Sequence, residues 1–229
     1  EYAYTVSDDS IYTGIYGECE AALTLKNGAA FTLKQKTEYP YDGKITFEFK
    51  NVTCDKPVTL NLRIPKWAEA GSIKTAQGEK RLDKTMRESY QPVHIEKLAG
   101  AKIELELKMP VRFTMAHPMV EEDSQLIAVE KGPLVYCMES PDANTDTLDD
   151  ICINIHSTFK ESTMQIKNRE IGILETEAYR IIHEEYDPKE LYQSFTGEKK
   201  QSIQVRLIPY FAWDNREYGE MRIWMPWRE

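Results

Sequence analysis

Apolar and polar residues alternate along much of this chain. In Lys102-Ile103-Glu104-Leu105-Glu106-Leu107-Lys108 every second side chain is apolar, which places Ile103, Leu105 and Leu107 on one face of a strand and the charges on the other. The same period runs through Ile45, Phe47 and Phe49, through Val58, Leu60, Leu62 and Ile64, and through Ile203, Val205 and Leu207. Strands with one wet face are typically antiparallel, and several of them in one chain predict an all-β sandwich fold. Turn residues punctuate the runs at Lys26-Asn27-Gly28, Tyr41-Asp42-Gly43, Gln77-Gly78 and Ala99-Gly100. Asn-Gly and Asp-Gly supply the positive φ angles of tight hairpins. Prolines 57, 92, 110 and 133 are assigned to the starts or ends of runs, where a missing N–H costs no central ladder bond.

Two stretches read differently. Residues 171–190 carry Leu174, Ala178, Ile181 and Ile182 at helix-like spacing, while Gly172 and the β-branched and aromatic residues suit strands; strands are the reading adopted. Residues 140–150 are polar and acidic and predict an exposed loop.

With 229 residues the chain can bury roughly 70% of its unfolded surface, enough for a core without metal or disulfide. The net charge of -9, with basic and acidic residues interleaved, excludes a nucleic-acid partner, since phosphate backbones are bound by clustered Lys and Arg. No run of eighteen apolar residues occurs, so no segment is expected to span a membrane. The chain begins at Glu1 with no initiator Met and no leader pattern, and reads as a portion of a larger protein; no compartment can be assigned. Cys19, Cys54, Cys137 and Cys152 are widely spaced, without a C-x-x-C or Cys/His grouping, and are expected to be buried, reduced thiols.

Candidate chemistry is sparse. Glycosidic bond cleavage commonly uses two carboxyl groups a few ångströms apart, and no pair stands out. Glu121-Glu122-Asp123 is the densest acidic cluster and is expected to be an exposed turn before the Leu126 strand. Asp142, Asn144 and Asp146 match the first three positions of a calcium loop, but Thr147 replaces the needed Gly and Ile153 the bidentate Glu, so a solvated loop is the better reading. His94, His117, His156 and His183 are scattered and read as structural; His183, beside Glu184 and Glu185, comes nearest to a ligand pair. No phosphate-binding Gly loop or G-x-S-x-G elbow is present. Neither catalytic nor cofactor or metal residues are therefore assigned within this chain. Aromatic residues give one binding hypothesis: Trp67, Trp213 and Trp227 could offer flat faces to a sugar or to another domain. Trp224, in the alternating stretch Met221-Arg222-Ile223-Trp224-Met225, is expected in a core strand.

Four stretches, taken in order, resemble the C-terminal region of glycoside hydrolase family 127, whose type activity is β-L-arabinofuranosidase. They are residues 35–43 (QKTEYPYDG), 62–68 (LRIPKWA), 128–137 (AVEKGPLVYC) and 208–216 (IPYFAWDNR). One departure is Thr75-Ala76-Gln77-Gly78, where the family often has a Val-Asn-Gly turn. The resemblance implies that a catalytic (α/α)6 barrel, with its nucleophilic cysteine, zinc ligands and acid/base glutamate, precedes this region and would be its partner. Zinc is then expected in that barrel and no cofactor here; a plant-type oligosaccharide is a further candidate partner. The function implied is that of a non-catalytic accessory region bracing the barrel, with an autonomous carbohydrate-binding module as the alternative. The resemblance and the strand pattern together predict two antiparallel β-sandwiches, one inserted in the other. Residues 17–112 would form the inserted domain, and residues 1–16 plus 113–229 the second, with the strand near Ile11–Tyr16 pairing into the latter.

Overall fold

The computed structural model describes residues 2–145, 147–183, 189, 191–192, 194 and 197–229. The chain divides into two compact units, residues 1–110 and 111–229.

The first unit holds ten strands: β1 (Tyr4–Val6), β2 (Ser10–Thr13), β3 (Cys19–Thr24), β4 (Ala30–Thr37), β5 (Lys44–Cys54), β6 (Val58–Ile64), β7 (Ala70–Thr75), β8 (Gly78–Asp83), β9 (Ser89–Ile95) and β10 (Lys102–Leu107). They form a four-stranded sheet, β1-β2-β6-β9, and a six-stranded sheet, β3-β4-β5-β10-β7-β8. The alternating residues of both sheets meet in one core. Leu60, Leu62 and Ile64 of the smaller sheet belong to the same buried cluster as Phe47, Ile103, Leu105 and Leu107 of the larger. Two facing sheets with interleaved apolar side chains make this a β-sandwich, and Phe47, with no exposed surface, is among its largest buried residues.

The N-terminal strand departs from the nested arrangement. Strand β2 lies parallel to β6, with Ile11 opposite Leu60, and so belongs to the first unit rather than to the second. The reason is packing and polar satisfaction. Ile11 is fully buried in the first core, the Arg63 amide donates to Thr13 Oγ1 at 2.9 Å, and the Tyr16 hydroxyl donates to the Arg63 carbonyl at 2.6 Å. The units are therefore sequential, divided at Pro110. Two details of turn chemistry also change. Pro92 sits inside β9, an edge strand of its sheet, where its missing N–H leaves no central ladder bond unmade. Gly43 has no positive φ. Glycine is needed there because a Cβ would stand 1.9 Å from the Leu107 carbonyl oxygen.

The second unit holds β11 (Val111–Thr114), β12 (Leu126–Lys131), β13 (Leu134–Glu139), β14 (Ile151–Asn154), β15 (Lys160–Ile166), β16 (Arg169–Ile182), β17 (Lys199–Pro209), β18 (Met221–Arg222) and β19 (Met225–Arg228). Their order is β11-β12-β19-β14-β16-β17-β13-β18, with β15 beside β16. Strand β12 also pairs with β13, so the hydrogen-bonded path folds back on itself. Pairing is antiparallel except between β14 and β19. The ambiguous stretch is strand as far as Ile182, because Leu174, Thr176 and Ala178 are all buried at period two. Its remainder lies mostly outside the described residues. Trp224 is not in a core strand; it sits half-buried between β18 and β19.

Candidate functional site

The densest polar arrangement lies at one loop end of the second unit, and local sequence reasoning did not find it. Strand β17 ends at Pro209 and passes into a single 3-10 turn, Tyr210–Ala212. Ile208, Pro209 and Ala212 are buried, which pins the turn to the unit beneath it. Asn215 then closes the turn with its side-chain amide, which donates to the Ala212 and Trp213 carbonyls at 3.2 and 2.9 Å. Lys167, at the tip of the β15–β16 hairpin, donates to Asn215 Oδ1 at 2.7 Å. Asp214 takes a left-handed φ of 59° so that the chain can reverse here.

Arg216 is the anchor. Its Nη1 and Nη2 donate to the two oxygens of Asp142 at 2.8 and 2.6 Å, and its Nε donates to Glu139 Oε2 at 2.7 Å, with a further contact from Nη2 to Glu139. The side chains are 15% exposed for Arg216, 5% for Glu139 and 0% for Asp142. Both carboxylates also serve the backbone. Glu139 Oε1 accepts the Asp214 amide at 3.1 Å, and Asp142 Oδ2 accepts the Glu139 amide at 3.1 Å. The Asp142 carboxylate, followed by that of Glu139, holds the Arg216 guanidinium well above its usual range against the opposing effect of burial. Nearby Cys137 is pushed up to about 12, first by burial and then by the Glu139 and Asp142 charges, so its thiol keeps its proton at neutral pH. The cluster thus holds no free base and no free nucleophile. Its chemistry is positional: it fixes a turn.

That turn presents aromatic rings to solvent. Tyr210 is 44% and Trp213 41% exposed, with their rings stacked at an interplanar angle of 8° and a centroid distance of 6.0 Å. The other two candidate tryptophans are elsewhere. Trp67 is partly buried against the first core, and Trp227 is half-buried in β19, paired with Ile153.

The remaining candidates occupy ordinary structural roles. Glu121–Asp123 forms a short 3-10 turn ahead of β12. Asp142 belongs to the Arg216 cluster rather than to a calcium loop, and Asp146 lies outside the described residues. His183 approaches Asp150 at 2.5 Å, while Glu184 and Glu185 lie outside the described residues. His94 meets Glu96 at 3.0 Å on the surface, an i, i+2 spacing that the sequence reading passed over. The cysteines are free thiols, with Cys137 and Cys152 buried and Cys19 and Cys54 partly so. Among the described residues no three His, Cys, Asp or Glu side chains come together as a metal-ligand group, and no helix is long and apolar enough to cross a membrane. The surface carries recesses of about 280 Å³ beside His94 and Lys97, about 560 Å³ beside His156, Glu177 and Gln204, and about 370 Å³ beside Lys74 and Glu104; no Phe, Trp or Tyr lines any of these.

Comparison with known proteins agrees with the division into units. Residues 10–109 match the family model for the β-L-arabinofuranosidase GH127 middle domain, and residues 111–226 match the glycoside hydrolase family 127 C-terminal domain. A curated relative, a non-reducing end β-L-arabinofuranosidase of Bifidobacterium longum subsp. longum, is 28% identical over 207 residues, covering 88% of this chain and 31% of its own length. A crystal structure of a GH127 β-L-arabinofuranosidase from Geobacillus stearothermophilus T6 shares the fold at a TM-score of 0.88, with 24% identity, across 99% of this chain and 35% of that one. A solved structure described as a glycoside hydrolase gives a TM-score of 0.89 at 32% identity, across 100% of this chain and 37% of that one. The chain thus spans about a third of the length of the relatives it matches. With its two units matched in order by the family's middle and C-terminal domains, this chain belongs to glycoside hydrolase family 127.

Proposed function

We propose that this chain is the non-catalytic accessory region of a β-L-arabinofuranosidase-like glycoside hydrolase, and that its role is to brace a catalytic barrel in the same polypeptide. The observation that carries the reading is coverage: nearly all of the chain aligns with family members, yet it accounts for only 31–37% of their length. The state of the local groups supports it. Glu139 and Asp142, the most buried carboxylates among the described residues, are already engaged by Arg216, and the Cys137 thiol stays protonated at neutral pH. Acid/base or nucleophilic catalysis needs such groups free and within reach of one another. On this reading zinc belongs to the barrel: the four thiols here are dispersed and two are buried, which does not fit a thiolate-rich metal site.

The test compares the complete product of the gene with the 229-residue chain on a chromogenic β-L-arabinofuranoside. Turnover by the complete product and none by the chain is the expected result. Turnover by the chain itself, abolished by a chelator, would overturn the reading. Saturable binding of arabinose-containing oligosaccharides by the chain, measured by calorimetry, would favour a carbohydrate-binding module instead.

A further inference from the structure

A buried cluster of charges rarely adds net stability, because removing the ions from water costs about as much as their attraction returns. The Arg216 cluster therefore calls for another explanation, and its geometry supplies one. Glu139 and Asn215 hold the backbone of residues 212–214 directly, and Arg216 ties that turn to Glu139 and Asp142, which also brace the start of the 140–142 turn. What they hold still is a turn that exposes the stacked pair Tyr210 and Trp213, each more than two-fifths exposed, with Phe211 exposed between them. Rigid aromatic side chains presented from a fixed backbone are the form that anchor residues take at protein interfaces, where ordering in advance reduces the entropy lost on contact.

Resting on the reading that a barrel belongs to the same protein, we propose that the Tyr210–Trp213 turn is the element of the C-terminal unit that docks on that barrel. Two observations select this occupant. The matched relatives extend well beyond the aligned region, so the accessory region has a large body to cover. The polar side chains that close the turn are also already engaged. A sugar ring needs polar groups beside the aromatic face, and here Asn215 is spent on the Ala212 and Trp213 carbonyls and Arg216 on the two carboxylates. The exposed ring faces of Tyr210 and Trp213 suit an apolar patch on a neighbouring domain.

Hydroxyl-radical footprinting read by mass spectrometry tests this without any substitution. Tyr210 and Trp213 should be oxidised at least fivefold more slowly in the complete gene product than in the 229-residue chain. In a second arm, Trp213→Glu in the complete product should shorten its half-life to thermal inactivation at least tenfold, while the same change in the 229-residue chain leaves the urea midpoint in place. Equal oxidation of both rings in a complete product that hydrolyses arabinofuranosides would overturn the docking inference alone. A complete product without such activity would overturn the functional reading beneath it. Protection of Trp213 in the 229-residue chain by arabino-oligosaccharides would make the turn a sugar platform, and protection that grows with chain concentration would make it a self-association surface; either result overturns the inference.

Discussion

Replacing Arg216 by methionine removes the cation from a cluster whose two carboxylates have almost no access to water. The substitution keeps the apolar stem and most of the volume, so the change is mainly electrostatic. Asp142 loses two bonds of 2.8 and 2.6 Å, and Glu139 loses one of 2.7 Å and the contact from Nη2. Arg206, 3.8 Å from Asp142 and 43% exposed, is the cation that remains, and it offsets part of the loss. Removing one partner from a buried ion cluster typically costs 3–5 kcal/mol, and with Arg206 in place the lower end, about 3 kcal/mol, is expected. Urea unfolding measures this cleanly in a Trp67→Phe background. Trp67 is the one tryptophan of residues 1–110, so fluorescence then reports on Trp213, Trp224 and Trp227 of the second unit. The triple variant Arg216→Met, Glu139→Gln, Asp142→Asn should recover most of the loss. Its amide oxygens can still accept the Asp214 and Glu139 N–H groups while no charge remains buried. A loss below about 1 kcal/mol for Arg216→Met, or a triple variant no better than the single, would refute the view that uncompensated buried charge sets the cost.

Two further outcomes can be checked on the same protein. Phe47→Ala, at a side chain with no exposed surface between the sheets of the first unit, should cost about 3–5 kcal/mol in urea unfolding followed by Trp67 fluorescence; a change under about 1 kcal/mol would contradict the assigned core. Cys137, raised from 9.0 to about 12 in the fold, should resist a thiol reagent at pH 8 until the chain is unfolded. Because the folded state holds that proton more tightly than the unfolded state, its contribution is complete below about pH 9 and is lost as pH rises toward about 12. Between pH 9 and 11 the urea stability of the wild type should therefore fall by roughly 2–3 kcal/mol more than that of Cys137→Ala; parallel falls would refute the assignment.

What could be read from the sequence was whatever depends on nearest neighbours. Ile103, Leu105 and Leu107 alternate with charges and are all at most 2% exposed, because a pleated strand with one wet face imposes that period. The Asn27-Gly28 turn was legible for the same reason, since a φ of 89° at Gly28 is a local demand. Gly43 shows the limit: its sequence context reads as a hairpin turn, yet the demand comes from the Leu107 carbonyl, 64 positions away in the chain. The Arg216 cluster was invisible on these terms. Its members are separated by 74 and 77 residues, and no period or spacing relates them. The four-residue step from Leu174 to Ala178 fits a helix and a strand equally well, and burial of Thr176 between them decides for the strand. Trp213 was singled out as a large aromatic residue, but its place on a clamped turn follows from Asn215 and Arg216 and was not legible from its residue type.

The N-terminal strands discriminate most sharply between nested and sequential units. In a nested arrangement residues 17–112 would form the inserted sandwich, so a chain starting at residue 17 would fold alone, because the first sixteen residues would serve the other sandwich. The observed pairing makes the opposite demand. Ile11 and Tyr16 are buried in the first core at 0% and 3% exposure, and β2 supplies the parallel neighbour of β6. Deleting residues 1–16 removes Ile11 outright and, with Tyr16, the hydroxyl that satisfies the Arg63 carbonyl. It also strips the Thr13 acceptor from the Arg63 amide and opens one edge of β6. Loss of the isoleucine costs about 2–5 kcal/mol and loss of the aromatic about 3–5 kcal/mol by analogy with truncation to alanine. The sum approaches the whole stability of a domain of this size, about 5–15 kcal/mol. Residues 1–110 expressed alone should unfold cooperatively in urea, while residues 17–110 should show no cooperative transition and weak dispersion of amide signals by NMR. If residues 17–110 instead fold with the same midpoint as residues 1–110, the N-terminal strand contributes nothing to the first unit, and the sequential division proposed from the pairing of Ile11 with Leu60 is wrong.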